Sequence, residues 1–113
     1  MTSTTVSTVE RIREFNDDFR RTFVGGTVVI TAGVEAMSAE QRKSLLAKVR
    51  AFDAFTSDND PHGEHDFGAI EEGEARCFWK IDYYDREMTM HSPDAADPTV
   101  TTRVLTVMLA EEY

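Results

Sequence analysis

One run of ten residues, Ala75–Tyr84, constrains the chain more than any other. Cys77, Trp79, Ile81 and Tyr83 fall on one side of it, and Arg76, Phe78, Lys80, Asp82 and Tyr84 on the other. Successive strand side chains point to opposite faces, so this alternation describes a strand with one face in a core and one near water. A half-wet strand belongs to an antiparallel sheet that carries helices on one side.

The flanks extend the strand into a meander, with Asp66–Glu71 before it and Glu87–His91 after it, joined at Glu72-Gly73-Glu74 and Asp85-Arg86. A three-residue turn at Glu72–Glu74 pairs Trp79 with Phe67 and Lys80 with Asp66. A two-residue turn sets Trp79 against Asp66 and buries a carboxylate on an indole, so desolvation favours the first register. It places Asp66, Lys80, Asp82 and His91 on the outer sheet face and turns His65 inward beside Ile81. An inward, neutral His65 needs a hydrogen-bond partner, and Glu64 or Asp60 is the nearest supply. The Asp85-Arg86 turn pairs Tyr83 with Met88 and Ile81 with Met90, adding both methionines to the core.

Helical spacing appears elsewhere. Ser7-Thr-Val-Glu10 is a capping box, followed by Ile12, Phe15, Phe19 and Phe23 at one face and a stop at Gly25-Gly26. Thr27–Thr31 is a β-branched strand expected to be buried on both faces. Ser38-Ala-Glu-Gln41 is a second capping box, and Leu45, Leu46, Val49 and Phe52 form the stripe behind it. Asp97-Pro98 supplies an N-cap and a first-turn proline for a C-terminal helix carrying Val100, Val104, Leu105, Met108 and Leu109. The order is α-β-α-β-β-β-α: an α+β fold with a mostly antiparallel sheet of about four strands and three helices. Residues 1–8 read as a flexible lead-in and 9–113 as one domain.

Composition limits function. Of 113 residues, 41% are hydrophobic, enough for a core. No apolar run suits a membrane span and no basic-then-apolar start suits export. The single cysteine, Cys77, excludes an internal disulfide and fits a cytoplasmic protein. The net charge is −9, from 21 acidic and 12 basic residues. Such a surface repels phosphate backbones and anionic membranes, so neither nucleic acid nor membrane is the expected partner; a basic protein is attracted. Phe78 and Tyr84, on the outer face, fit either an oligomer seam or a covering helix or linker.

The candidate site is the segment from Asp58 to Gly68, which holds two histidines and several carboxylates. As a calcium loop it fails, because His62 takes the fifth position and Ala69 the twelfth, where a glutamate is required. His62 and His65 are three apart on a loop, unlike the helical His-Glu-x-x-His motif. His65, Glu64 and Asp66 remain as a candidate divalent-metal set, with His91 as a distant contributor. No cofactor is required by the sequence. As a base, His65 has carboxylates but no nucleophile in a recognisable setting. Asp60-Pro61-His62-Gly63 makes a β-turn, and the structural reading is that the segment shapes a loop and anchors it to the sheet. Loops of this kind also form contact surfaces, and Asp60, Glu64, Asp66, Lys80, Asp82 and His91 are the binding candidates.

Several longer motifs resemble a known family. They are Arg11-Ile-Arg with Asn16, Thr31-Ala-Gly33, Arg50-Ala-Phe-Asp-Ala-Phe-Thr56, Asp58 through Gly68, Phe78-Trp-Lys-Ile-Asp-Tyr-Tyr-Asp85, and Thr106 through Tyr113. They resemble an uncharacterised domain-of-unknown-function family of short alphaproteobacterial proteins, often borne on plasmids and other mobile elements. The resemblance covers the chain from about Val9 onward. It implies that the position of His62 is often another aromatic, which leaves Glu64, His65 and Asp66 as the better candidates. It implies no fold, activity or cofactor, but its setting suggests accessory roles such as antirestriction, anti-CRISPR or plasmid maintenance. The expected function is a non-catalytic interaction module for a protein, including a nucleic-acid-binding one, with DNA mimicry as a narrower form. The alternative is a metal-dependent enzyme or sensor built on Glu64-His65-Asp66.

Overall fold

The computed structural model describes residues 7–113. Helix α1 spans Thr8–Thr22, strand β1 Thr27–Ile30, the short helix α2 Ala32–Glu35 and helix α3 Ala39–Ala51. Strands β2 (Phe67–Glu72), β3 (Ala75–Tyr84) and β4 (Thr102–Leu109) follow, and Ala110–Glu112 close the chain as a 3-10 turn. The fold is α+β with three helices and a four-stranded mixed sheet of order β1-β4-β3-β2. Only β1 and β4 run parallel.

Caps start the two long helices. Ser7 Oγ accepts the Glu10 amide at 3.1 Å, so α1 begins at Thr8 and takes in the end of the expected lead-in, whose residues 1–6 lie outside the described residues. Ser38 and Gln41 form a complete capping box, worth ~1 kcal/mol to α3. Both helices pack on the face of β3 that carries Cys77, Trp79, Ile81 and Tyr83. With Ile12, Phe19, Leu45, Val49, Leu105 and Val107 those side chains form the core. Each large aliphatic or phenyl group among them contributes ~1.5–3 kcal/mol by leaving water. No helix among the described residues is long and apolar enough to cross a membrane.

The segment expected as a C-terminal helix is β4, a strand with partners on both sides. Val100, Val104, Leu105, Met108 and Leu109 fit a helical stripe, but a strand buried on both faces shows the same apolar density. Thr101, Thr102, Val104, Thr106 and Val107 are β-branched, which favours the strand. Arg103, Val104, Leu105, Val107 and Met108 are all buried there. Asp97 caps no helix: its Oδ1 accepts from the Thr99 amide at 2.9 Å and the Thr99 hydroxyl at 2.6 Å, closing a turn.

Three further expectations are corrected. Glu87–His91 is no strand. Asp85 accepts from the Thr89 amide and hydroxyl at 2.9 and 3.2 Å, Met88 adopts φ 61°, and the chain rejoins β3 only at the Tyr84–His91 bridge. Met88 and Met90 are therefore exposed, and Ile81 and Tyr83 face Leu105 and Arg103 of β4 instead. The β2–β3 hairpin also takes a different register from either considered. Its two-residue turn is Gly73-Glu74, with Gly73 at φ 61°, and Gly68, not Phe67 or Asp66, lies opposite Trp79. A Cβ at position 68 would overlap the Trp79 indole and the Phe52 ring, so only glycine admits the tryptophan there. Strand β1 is a half-exposed edge rather than a buried strand, with Val29 42% exposed.

Candidate functional site

The register shift moves the acidic segment. Asp66 accepts the Ile81 amide at 2.9 Å through its carbonyl and sits opposite Ile81, so it faces the core side and not the outer face with Lys80. Lys80 and Asp82 stay outside and pair at 3.0 Å; the hydrogen bond that Lys80 donates to Asp82 raises its ammonium above the ordinary range.

Glu64, His65 and Asp66 diverge. His65 adopts φ 55°, a strained conformation for a residue with a Cβ. That turns its ring onto Phe55, stacked at 3.7 Å between centroids with an interplanar angle of 3°. Nδ1 then lies 2.9 and 3.2 Å from the two Asp17 oxygens, and Nε2 lies 3.6 Å from Asp60 Oδ2. Asp60 is buried and also accepts the His65 amide at 3.2 Å. The Asp60 contact is one the sequence offered, but His65 lies on Phe55 and not beside Ile81, which Asp66 faces instead, and the nearer partner, Asp17 of α1, was absent from that reading. Asp17 further accepts from Arg20 Nη1 at 2.9 Å, and the Arg20 guanidinium, buried to 1% exposure, lies over Phe55 and Trp79.

Glu64 and Asp66 turn the other way and converge on Tyr83. The Tyr83 hydroxyl lies 3.2 Å from Glu64 Oε1 and 3.4 Å from Asp66 Oδ2, and accepts from Asn16 Nδ2 at 2.7 Å. Asn16 Oδ1 in turn accepts from Arg103 Nε at 2.9 Å, and Arg103 Nη2 donates to the Ala95 carbonyl. Burial and the Asp66 charge push the Tyr83 phenol well above its ordinary range. Burial raises the Asp66 carboxyl, reinforced by the charges of Glu64 and Asp60 and eased by its own amide and by Tyr83. Burial lowers the Arg103 guanidinium.

Asp66, Asp82 and His91 therefore share one cleft at the end of β3, while Glu64 reaches its Tyr83 wall. Lys80 flanks it through Asp82, and Asp60 lies behind His65. His62 is exposed. Among the described residues no three His, Cys, Asp or Glu side chains gather as metal ligands. The His65–Asp17 pair has the base–orienter form of a general base, but its second nitrogen faces a carboxylate and not an open site. Cys77 is buried, and burial raises its thiol. Asn16, Asp17, Arg20 and Arg103 were missed. Asn16 and Arg20 follow Ile12 by four and eight residues, so their place in the apolar stripe of α1 was a readable signal of buried polar contacts.

A family model described as a protein of unknown function, DUF3768, matches residues 30–112 of the chain. The chain belongs to that family. The match to DUF3768 takes in the segment Asp60–Asp66, β3 and His91. No curated protein and no solved structure matches the chain.

Proposed function

We propose that this chain is a non-catalytic interaction domain that binds a basic protein. One observation carries the reading: Glu64 and Asp66 converge on Tyr83 beside an open cleft, with no lysine, arginine or histidine of the described residues within ion-pair distance of either. Carboxylates crowded in this way are a standing attraction for a cation. The net charge of −9 extends that attraction over the surface. Among the described residues the His65 ring is given carboxylates and a phenyl ring as neighbours and no activated nucleophile, which supports binding over hydrolysis.

The partner class is a cytoplasmic nucleic-acid-binding protein, since a surface that repels phosphate attracts what binds phosphate. An accessory role of the antirestriction or anti-CRISPR kind is the setting in which we place it. The test is calorimetric titration against purified basic DNA-binding proteins and against duplex DNA, at low and high salt. The reading expects salt-weakened binding to a protein and none to DNA. Binding to DNA, or to none of the basic proteins at low salt, contradicts it.

A further inference from the structure

The cleft at the end of β3 encloses about 320 Å³ and is lined by Asp66, Ile81, Asp82, Tyr83, Tyr84 and His91. That is the small end of the ~300–1,000 Å³ range of ligand clefts, room for one long side chain and not for a folded surface. Its floor is a buried polar group, Tyr83, 8% exposed. The Tyr83 hydroxyl accepts from Asn16 and has one proton to give, but it faces two carboxylates, Glu64 and Asp66. Whichever takes the proton, the other has no side-chain donor among the described residues. The site is thus short of hydrogen-bond donors: the nearby cation, Arg103 over the Tyr83 ring at 5.4 Å, gives its N–H groups to Asn16 and the Ala95 carbonyl and not to either carboxylate. Asp82 is already held by Lys80, so the deficit belongs to Glu64 and Asp66. The remaining wall is aromatic: the Tyr83 and His91 rings lie edge to face at 6.3 Å, with the His91 backbone bridged to that of Tyr84.

An occupant must supply several donors, a positive charge and a flat or apolar stem. A guanidinium does all three: it presents its N–H groups as a planar fork and stacks on aromatic rings, whereas an ammonium is a compact point charge. Among the described residues no three His, Cys, Asp or Glu side chains gather closely enough there to hold a metal ion. We propose that the cleft takes an arginine side chain of the partner, its guanidinium donating to Asp66 and Glu64 and its stem lying against the His91 ring. The proposal rests on the reading of the domain as a binder of a basic protein and names the anchor of that contact.

The test uses the 113-residue chain, labelled with ¹⁵N, and three short peptides, uncharged apart from one central residue: arginine, its uncharged isostere citrulline, or lysine. The arginine peptide is expected to shift the amides of Asp66, Tyr84 and His91 saturably, and the citrulline peptide to bind at least ~10-fold more weakly, since charge-assisted bonds are lost. Asp66→Asn should weaken the arginine peptide ~10-fold while its spectrum stays folded, and Glu111→Gln, away from the cleft, should change nothing. Equal binding of citrulline, equal binding of lysine, or shifts spread over the whole acidic surface would each overturn the proposal. If a basic protein binds while the arginine peptide does not, the cleft assignment fails and the wider reading stands; if neither binds, both fail.

Discussion

His65 Nδ1 lies 2.9 Å from Asp17 Oδ1, across 48 residues of chain. The bond ties the acidic loop to α1 and shares its acceptor with the buried guanidinium of Arg20. Asp17→Ala strips both partners at once and leaves Arg20 without its ion pair. It should cost ~3–5 kcal/mol, against ~1–3 kcal/mol for His65→Ala, and the two changes should couple by ~0.5–3 kcal/mol. Urea unfolding of the two single variants and the double variant measures this. Additive costs would show that the two side chains act independently.

Asp66 predicts a pH dependence. Its folded-state carboxyl is raised above the ordinary value by burial and by Glu64 and Asp60. The folded state therefore favours the protonated form. That contribution is present below the unfolded carboxyl range and is lost as pH rises through the folded value, so the charge destabilises the fold at neutral pH. Asp66→Asn should raise Tm at neutral pH, and the gain should fade as pH drops through the carboxylate range. A gain that persists undiminished in acid would assign the effect to something other than this charge.

Gly68 predicts a packing cost. A methyl group there meets the fully buried Trp79 indole and the half-buried Phe52 ring. Gly68→Ala should destabilise by ~1–3 kcal/mol, read from thermal or urea unfolding, and should disturb Trp79 fluorescence. An unchanged midpoint would mean that the indole has room to move.

The position of β4 predicts an exchange pattern. Central in the sheet and buried on both faces, it should hold slow-exchanging amides around Leu105–Val107, while the Asp85–Met90 turn exchanges fast. Leu105→Ala, fully buried, should cost ~2–5 kcal/mol. Fast exchange across 103–108 would contradict the placement of this strand.

The alternation of β3 made its buried face readable, because a period of two admits only one strand orientation against a core. The caps at Ser7 and Ser38 were readable because their side chains act within one helical turn. What failed was non-local. Periodicity cannot separate a helix from a strand buried on both faces, so β4 was expected as a helix. The hairpin register depended on Gly68 admitting Trp79, a contact between two strands that neither strand announces alone. The division of Glu64-His65-Asp66 depended on φ 55° at His65 and on an aspartate from α1, and local turn chemistry carried neither.

The central claim is that this segment is an anchor at His65 and a contact surface at Glu64 and Asp66, not a metal or catalytic centre. Long-range ¹H–¹⁵N NMR of the histidine rings during titration with zinc and then manganese tests it most directly. The account predicts that His65 Nδ1 carries a proton, bonded to Asp17, and that its signals stay in place through stoichiometric metal. A His65 ring nitrogen that loses its proton or shifts on stoichiometric zinc would contradict it.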